Sequence, residues 1–251
     1  MDKTLLKGLA VLEAVALHEG RSRTIDELAA HVGLTRSNVH RTLQTLAHAG
    51  YVVKDDASGN YRGTLRLFEL GSNQMARFDV REHASPAMRV LAQETGETVH
   101  LSVLEGLDVI YIDKIDSPQP VRSYTAIGGR APAYAVATGK AMLAFQPAGY
   151  LERQTQAIVR HTAATITAPD ALHAVMAEIA RLGYATNRGE WRESVGGVAA
   201  PIFGGMGDVV AALGISGPLE RLSEQRMAQL APAVRHQALA LSRAMGYRGA
   251  P

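Results

Sequence analysis

The chain has 251 residues, of which 47% are apolar and 20% are charged. This length and composition allow a large hydrophobic core in about two domains, which excludes disordered and collagen-like classes. No cysteine is present, so disulfides, thiolate nucleophiles and thiolate zinc sites are excluded. No apolar run approaches the roughly 18 residues of a membrane span, and the N-terminus lacks a secretory signal pattern. The sequence therefore predicts a soluble, cytoplasmic protein without a membrane partner.

The net charge of +2 becomes informative when it is divided along the chain. Residues 1–78 hold 10 Lys and Arg against 8 Asp and Glu, and the remaining residues hold 16 of each sign. No carboxylate occurs between Glu27 and Asp55, an interval with two arginines, one lysine and three histidines. A locally basic surface of this kind suits a polyanionic partner. A solvated helix face with chance spacing explains the charges equally well, so the charge pattern alone leaves both interpretations open.

Helical periodicity dominates the first fifty residues. Apolar residues form a broad stripe along the first predicted helix, which ends at Gly20. Thr24 and Glu27 match a capping box, in which the threonine hydroxyl accepts the Glu27 amide and the Glu27 carboxylate accepts the Thr24 amide. The sequence therefore predicts a second helix that follows this cap and ends at Gly33.

A third helix is predicted between Thr35, as its N-cap, and Gly50, as its stop. The face opposite its apolar stripe carries hydrogen-bond donors and no acidic side chain, which suits base edges and phosphates. The predicted DNA contacts are Arg23, Thr24, Thr35, Arg36, Ser37, Asn38, His40, Arg41, Gln44 and Arg62.

A β-hairpin is predicted directly behind the third helix, with strands at residues 51–54 and 61–62 around a turn rich in Asp, Asn and Gly. Residues 1–64 therefore read as a winged helix-turn-helix domain. Its third helix would enter the major groove of double-stranded DNA, and Arg62 of the wing would contact a phosphate or the minor groove. Winged units also serve as protein-interaction modules, which more often carry an apolar or mixed-charge surface. The acid-free face favours DNA, and a non-enzymatic interaction module is the alternative.

Four short motifs follow one another in this first domain: KGLAVL at residues 7–12, GLTRS at 33–37, HRTLQTL at 40–46 and GYV at 50–52. Together they resemble the N-terminal half of IclR-type bacterial transcription regulators. The resemblance is dense and in register. It implies a regulator that binds an operator as a repressor or an activator.

Residues 65–80 are predicted to form a linker helix, and a second helical stretch follows from Val80 to Gly96. The linker is apolar on much of its surface. A regulator must present two recognition helices about one DNA turn apart, roughly 34 Å. We therefore predict that a homodimer interface lies at this helix. Packing of the linker on its own C-terminal domain is the other possibility.

The pattern changes to strands after Thr98. Strands are predicted at residues 99–104, 108–113, 121–126, 196–203 and 209–216. Helices are predicted at residues 136–145, 147–155, 169–182 and 223–246. Antiparallel strands with interspersed helices indicate an α+β class rather than a doubly wound parallel sheet. Residues 81–251 are therefore predicted to form a sensor domain.

Motifs throughout this second domain extend the resemblance: SPAM at residues 85–88, ETVHL at 97–101, YIDK at 111–114, ATGKA at 137–141, GYA at 183–185, VAAPI at 198–202 and SGP at 216–218. They are similar to the GAF-like effector-binding domain of IclR-type regulators. The resemblance implies a small-molecule site between the central sheet and its helices, in a homodimer or a dimer of dimers (tetramer). The ligand contacts that it implies are Ala137, Thr138, Asn187, Gly197, Gly214 and Ser216.

The departures from that resemblance concern the effector. Where relatives that bind very small keto acids carry an acid, a cysteine and a serine, this chain has Asn187, Gly197 and Gly214. Two of these differences remove side chains, so a larger cavity and an aromatic or longer organic acid are predicted. Further candidate contacts, for stacking or for pairing with a carboxylate, are Tyr124, Arg130 and Trp191. A lone tryptophan is more often a packing residue and an arginine a surface charge, so a purely structural interpretation stays open.

Motifs of catalysis are incomplete in this chain. Gly139 and Lys140 lack the neighbours of a phosphate loop, because Tyr134 and Ala141 occupy the positions of its glycine and hydroxyl residue. Neither His-Glu-x-x-His nor Gly-x-Ser-x-Gly occurs. The sequence therefore predicts no enzyme activity, no metal site and no cofactor.

Overall fold

The computed structural model of the chain describes residues 1–16, 23–75, 79–147, 149–151, 153 and 158–249. The chain divides into two compact units, Met1–Phe78 and Asp79–Pro251. Within these described ranges, no helix is both long and apolar enough to cross a membrane.

In its described residues, 1–16 and 23–75, the first unit has four helices and a two-stranded antiparallel sheet. Its elements are α1 (Lys3–Ala16), α2 (Ile25–Val32), α3 (Arg36–His48), β1 (Val52–Lys54), β2 (Tyr61–Gly63) and α4 (Leu65–Met75). The predicted end of the first helix, at Gly20, lies outside the described residues.

Local capping explains where α2 and α3 begin and end. The Thr24 hydroxyl accepts the amide of Glu27 at 3.2 Å, and a Glu27 carboxylate oxygen accepts the amide of Thr24 at 2.9 Å. Gly33 ends α2 at φ +64°, a backbone conformation that glycine adopts without a steric penalty. Thr35 caps α3 by accepting the amide of Asn38 at 3.4 Å. The capping box of the second helix and the threonine cap of the third are thus present.

The three helices and the hairpin share one small core. Val11 of α1, Leu28 of α2 and Val39 of α3 are fully buried together, and Tyr61 of β2 closes the cluster. Arg23 forms an antiparallel bridge with Tyr61 through two backbone hydrogen bonds of 3.0 and 3.2 Å. This bridge joins the segment before α2 to the hairpin.

The second unit is built on one six-stranded sheet in which every neighbouring pair is antiparallel. Its strands, in the order β5-β4-β3-β8-β7-β6, are β3 (Thr98–Glu105), β4 (Asp108–Ile115), β5 (Arg130–Pro132), β6 (Ala185–Arg188), β7 (Val195–Phe203) and β8 (Val209–Pro218). Its helices are α5 (Asp79–Thr95), α6 (Ala137–Leu143), α7 (Pro169–Leu182) and α8 (Glu224–Ala244). The predicted α+β class with an antiparallel sheet is confirmed.

Each face of the sheet carries its own core. Residues of α5 and α8 pack against one face, where Leu91, Leu213 and Val234 are buried. Residues of α6 and α7 pack against the other face, where Met142 and Leu172 are buried. Because successive strand residues point to opposite faces, alternate positions of β8 belong to different cores. On β3, the polar His100 is buried and lines the same cavity as Thr138 of α6, so this position faces α6 rather than water.

Gly139 of α6 has a steric role. A Cβ atom at this position would overlap the backbone of Ala133, which lies in the short 3-10 turn before α6. The Gly-Lys pair that resembles part of a phosphate loop is thus explained by close packing of helix on turn.

The structure corrects the strand predicted at residues 121–126. The alternation of that segment is real, because Ser123 and Thr125 are buried while Val121 is exposed. Its carbonyl groups, however, accept side-chain donors instead of strand amides, for example Lys114 Nζ on Thr125 at 2.7 Å. Strands β5 and β6, of three and four residues, were not predicted. Much of the helix predicted at residues 147–155 lies outside the described residues.

Candidate nucleic-acid interface and ligand cavity

The exposed face of α3 carries the predicted recognition residues. Ser37, His40, Arg41 and Gln44 follow the i, i+3, i+4, i+7 spacing of one helix face, and all four are exposed. The opposite face holds Val39 and Leu43 in the core, so these polar side chains are fixed outward. Asn38 is half-buried at the flank of the face.

Several predicted DNA contacts have partners within the unit. Arg36 forms an exposed ion pair with Asp26 of α2, and such exposed pairs contribute little to stability. Arg41 has no ion pair among the described residues and donates from Nη2 to Asn38 Oδ1 at 3.4 Å. The hydroxyls of Thr24 and Thr35 serve as helix caps. Arg41 is therefore the most available cation of the α3 face.

The wing places Arg62 on an exposed position of β2. Its turn is closed by Asp55, whose carboxylate accepts the hydroxyl and amide of Ser58 and the amide of Ala57. These hydrogen bonds lower the pKa of Asp55, with the Ser58 hydroxyl as the largest cause. The turn is therefore rigid where it follows β1.

Two helices of the first unit expose large apolar side chains. On α1 these are Leu5, Leu6 and Leu9, and on α4 they are Leu65, Phe68 and Leu70. Phe68 is 71% exposed. Several large apolar side chains exposed on each of two helices indicate an interaction surface, because single exposed apolar residues are common but groups of them are not.

The second unit encloses a cavity of about 30 Å³ between α6 and strands β3, β7 and β8. Six of the predicted effector contacts line it: Ala137, Thr138, Asn187, Trp191, Gly197 and Ser216. Segments far apart in the chain thus meet at one place, as the family resemblance implied. Their role as ligand contacts stays a prediction.

Three other predicted contacts do not line this cavity. Gly214 lies on β8 between Ala199 of β7 and His100 of β3, and a Cβ atom at this position would lie 2.6 Å from Ala199 Cβ. Tyr124 is exposed, and the Lys114 ammonium lies 5.8 Å from its ring centre. Arg130 is exposed at the sheet edge and pairs with Asp108 at 3.3 Å. Exposed strand or loop positions cannot be told from pocket walls by residue type alone.

The two glycines do not enlarge the cavity. A Cβ atom at Gly197 would lie 2.7 Å from the carbonyl oxygen of Ile215, and one at Gly214 would lie 2.9 Å from that of Val198. The space that a side chain would need is occupied by neighbouring backbone. The expectation of a larger cavity is therefore corrected: the absence of a side chain was compensated by closer packing.

His100 is the central polar group that sequence reasoning missed. Its Nε2 atom lies 2.6 Å from Ser216 Oγ and its Nδ1 atom 3.4 Å from Thr125 Oγ1. The ring is 3% exposed and lies 4.9 Å from the ring of Tyr111. Burial lowers the pKa of His100 to about 4, and the charge of Lys114 adds to this effect. The imidazole is therefore neutral at pH 7.

Arg192 supplies the cationic group of the cavity lining. It is exposed, its guanidinium lies 4.5 Å from the centre of the Trp191 ring, and both residues line the cavity. Burial raises the pKa of Tyr111, which also lines the cavity, to about 12, while the charge of Arg192 opposes the shift. The sequence signal that could have identified Arg192 is its position directly after Trp191, the lone tryptophan.

A buried ion pair supports the wall formed by residues 187–192. Lys140 Nζ of α6 lies 2.6 and 2.7 Å from the two carboxylate oxygens of Glu190. The amide of Glu190 donates to Asn187 Oδ1 at 3.0 Å. Hydroxyls of Thr162 and Thr165 donate to the carbonyl of Glu190 at 3.3 and 2.7 Å. The side-chain oxygen of Asn187 is thus engaged in structure.

His100 is expected to make the second unit sensitive to acid. Its folded pKa is depressed, so the stability linked to its neutral form is present above pH 6.5 and is lost as the pH falls toward 4. The full loss corresponds to about 3 kcal/mol. Urea unfolding followed by the fluorescence of Trp191, the only tryptophan, at pH 7 and pH 4.5 measures it. His100→Gln should flatten the difference, whereas exposed His236→Gln should not; equal pH dependence in all three proteins contradicts the expectation.

The fold and the two sites define a class: a winged helix-turn-helix unit followed by an antiparallel α+β unit with a small enclosed cavity, which is an architecture of transcription regulators. Family models agree. The IclR helix-turn-helix domain matches residues 4–56, and the C-terminal domain of the bacterial transcriptional regulator IclR matches residues 73–243. The chain belongs to the IclR family.

Curated relatives match nearly the whole chain. The HTH-type transcriptional regulator KdgR of Escherichia coli is 36% identical over 99% of this chain and 94% of its own length. The regulator KipR of Bacillus subtilis is 35% identical over 98% of both chains. The homologues are thus DNA-binding transcriptional regulators of the helix-turn-helix type.

Solved structures show the same architecture. IclR of Thermotoga maritima superposes with a TM-score of 0.78 at 28% identity, covering 97% of this chain and 99% of that one. An IclR homologue from Microbacterium hydrocarbonoxydans, in complex with 4-hydroxybenzoate, gives a TM-score of 0.82 at 25% identity, with the same coverage.

Proposed function

We propose that this chain is a transcription regulator that binds operator DNA through α3 and the wing, and whose DNA binding changes when a small organic acid occupies the cavity of the second unit. The observation that carries the proposal is the α3 face, where exposed donors stand without an acidic side chain of that helix. Such a face can contact base edges and phosphates at the same time. A protein-interaction module more often carries an apolar or mixed-charge surface at this place.

Salt dependence distinguishes this function from the alternative, a protein-interaction module. Regulator binding to duplex DNA should weaken steeply with salt, because each neutralised phosphate releases counterions. Fluorescence anisotropy of a labelled random duplex and of DNA upstream of the gene, between 50 and 300 mM KCl, measures the slope. Absence of binding at the lowest salt to either duplex would refute the DNA-binding function.

A homodimer fits the exposed apolar residues of α1 and α4. Two copies would bury these residues against each other and would place two α3 helices about one DNA turn, roughly 34 Å, apart. Leu9 of α1 and Phe68 of α4 are among these exposed residues. A further pairing of dimers is compatible with the same seam.

Phe68→Ser is expected to raise the dimer dissociation constant about tenfold or more, because burial of one Phe side chain contributes about 1.5–3 kcal/mol. Sedimentation velocity across a concentration series measures the change. Met206→Ser is the matched control, since Met206 is 95% exposed in a turn of the second unit. An equal dissociation constant for the Phe68 variant and the unchanged protein would place the seam elsewhere.

The proposed acid site rests on the chemistry of the cavity walls. Ser216, Thr125 and neutral His100 offer hydrogen bonds, and Arg192 offers a charge to a carboxylate. The cavity of about 30 Å³ holds little more than a water molecule, so binding must displace a wall. The half-buried Trp191 and exposed Arg192 form the wall that reaches solvent. A related protein bound to 4-hydroxybenzoate supports the acid class.

Trp191 reports on this site directly, because it is the only tryptophan of the chain and lines the cavity. Titration with 4-hydroxybenzoate and with pyruvate, followed by tryptophan fluorescence, should give saturable changes that weaken in Arg192→Gln. Tighter binding of pyruvate than of 4-hydroxybenzoate would overturn the aromatic preference. No change with either acid would contradict an acid effector. Both titrations are independent of DNA binding.

A further inference from the structure

A second and larger recess of about 470 Å³ opens in the second unit, lined by none of the residues that surround the enclosed cavity. We call it the β7 groove. Its floor includes Ala200 and Pro201 of β7, one wall is the end of α7, and the other is a face of α8. Its volume lies in the range of small-molecule sites, which is about 300–1,000 Å³.

The groove exists because β6 is too short to cover β7. The pairing of these strands ends at Ala185 with Ala199, so residues beyond Ala199 have no strand neighbour on that side. In a β-strand, every second residue directs its N–H and C=O groups toward the same neighbouring strand. Beyond Ala199, the residues of β7 that point to the open edge are therefore 201 and 203. Residue 201 is a proline without an N–H group, and the Phe203 amide donates to Ser242 Oγ at 3.0 Å. An added peptide strand would find no free amide here, so a small molecule is the better occupant.

One end of the groove is aromatic. The Phe203 ring lies 5.0 Å from that of Phe145, edge to face, and 5.0 Å from that of Tyr247, nearly parallel. All three rings are half-buried, so each leaves area open toward the groove. Leu239 of α8 adds aliphatic surface. These surfaces suit an aromatic ring, which gains from stacked or edge contacts beyond simple burial.

The fixed charges that line the groove have one sign. Arg181 and Arg235 line it together with His236, and no Asp or Glu of the described residues does. Arg181 is engaged by Glu178 at 2.6 Å, whereas Arg235 has no carboxylate partner among the described residues. The Arg235 guanidinium lies beside the backbone of Gly183, with no side chain between them. A free guanidinium beside an apolar floor is complementary to an anion with an aromatic body.

We propose that the β7 groove is a second ligand site of this protein, which takes an arylalkyl carboxylate. The carboxylate pairs with Arg235, and the ring packs against Phe203 and Tyr247. This site differs from the enclosed cavity in size and in wall residues, and it does not depend on the ability of the first unit to bind DNA. It would give the second unit a site that is already open to an arylalkyl acid, whereas the enclosed cavity of about 30 Å³ must first displace a wall.

Isothermal titration calorimetry of the full chain with 3-phenylpropanoate tests the proposal, and 3-phenylpropanamide serves as the uncharged probe of equal shape. We expect saturable binding of the acid, at least tenfold weaker binding of the amide, and the same loss for the acid in Arg235→Gln. Arg235→Lys should recover part of the affinity, because it keeps the charge without the planar fork. Arg226→Gln, on an exposed position of α8 outside the groove, should bind as the unchanged protein does.

Two further variants determine whether 3-phenylpropanoate binds in the β7 groove or in the enclosed cavity. Ala180→Trp, on the exposed wall of α7, should fill the groove and abolish binding of 3-phenylpropanoate. Arg192→Gln, in the enclosed cavity, should leave it unchanged. Absence of binding at millimolar acid, equal binding of acid and amide, unaltered binding in Arg235→Gln or Ala180→Trp, or loss in Arg192→Gln would each overturn the proposal.

Discussion

Arg41→Ala is expected to weaken operator binding by about 30-fold to 10⁴-fold, because one bidentate base contact discriminates by about 1–3 kcal/mol and a dimer loses two. Arg41 lies in the middle of the exposed α3 face, and among the described residues its guanidinium donates only to Asn38 Oδ1, at a long distance of 3.4 Å. It can therefore turn to a base without breaking an ion pair. Arg36→Ala should have a smaller effect, because Arg36 must first leave Asp26.

Anisotropy titrations at constant salt, with operator and random duplex in parallel, separate the two possible roles of Arg41. A base contact would cost affinity mainly for the operator, whereas a phosphate contact would weaken both duplexes and lower the salt slope by about one per site. Arg243→Ala, an exposed arginine on α8 of the second unit, is the matched control. Unchanged operator affinity in Arg41→Ala would show that another face of the first unit binds DNA.

The first unit was largely predictable because its determinants are local. The Thr24 cap and the Gly33 stop depend on residues three or four positions away, and helical spacing alone fixes which side of α3 is exposed. What the spacing could not give is the partner of Arg36. Asp26 lies ten residues earlier, on another helix, and only the angle between α2 and α3 brings the two together.

The ligand cavity was predictable only in part because its members meet through distant strand pairing. His100 and Ser216 are 116 positions apart and become neighbours through the register that places Thr98 opposite Ser216. Alternation along β3 does not tell which element covers His100, and this residue lines the cavity together with Thr138 of α6. The family resemblance predicted Ser216 as a ligand contact but did not identify His100 as its hydrogen-bond partner. It also did not predict the packing around Gly197, where neighbouring backbone occupies the space that was expected to be open.

Lys140→Met is expected to destabilise the second unit by about 3–5 kcal/mol, because it leaves a buried carboxylate without a counter-charge. Lys140 is 3% exposed and both carboxylate oxygens of Glu190 contact its ammonium group. Burial lowers the pKa of Lys140, and the charge of Glu190 opposes that shift. Each charge is therefore maintained in the interior by the other, and removal of one makes the remaining one costly.

The double variant Lys140→Met/Glu190→Gln should recover most of that stability, since replacement of a whole buried pair by uncharged groups is often neutral. Urea unfolding followed by Trp191 fluorescence measures all three proteins, and Arg181→Met, in the exposed Arg181–Glu178 pair, should leave the midpoint unchanged. Equal losses in the single and double variants would mean that packing of the lysine stem, not its charge, matters. Because Glu190 also holds Asn187, the single variant should weaken the response of Trp191 to organic acids, which would tie the ion pair to the ligand cavity.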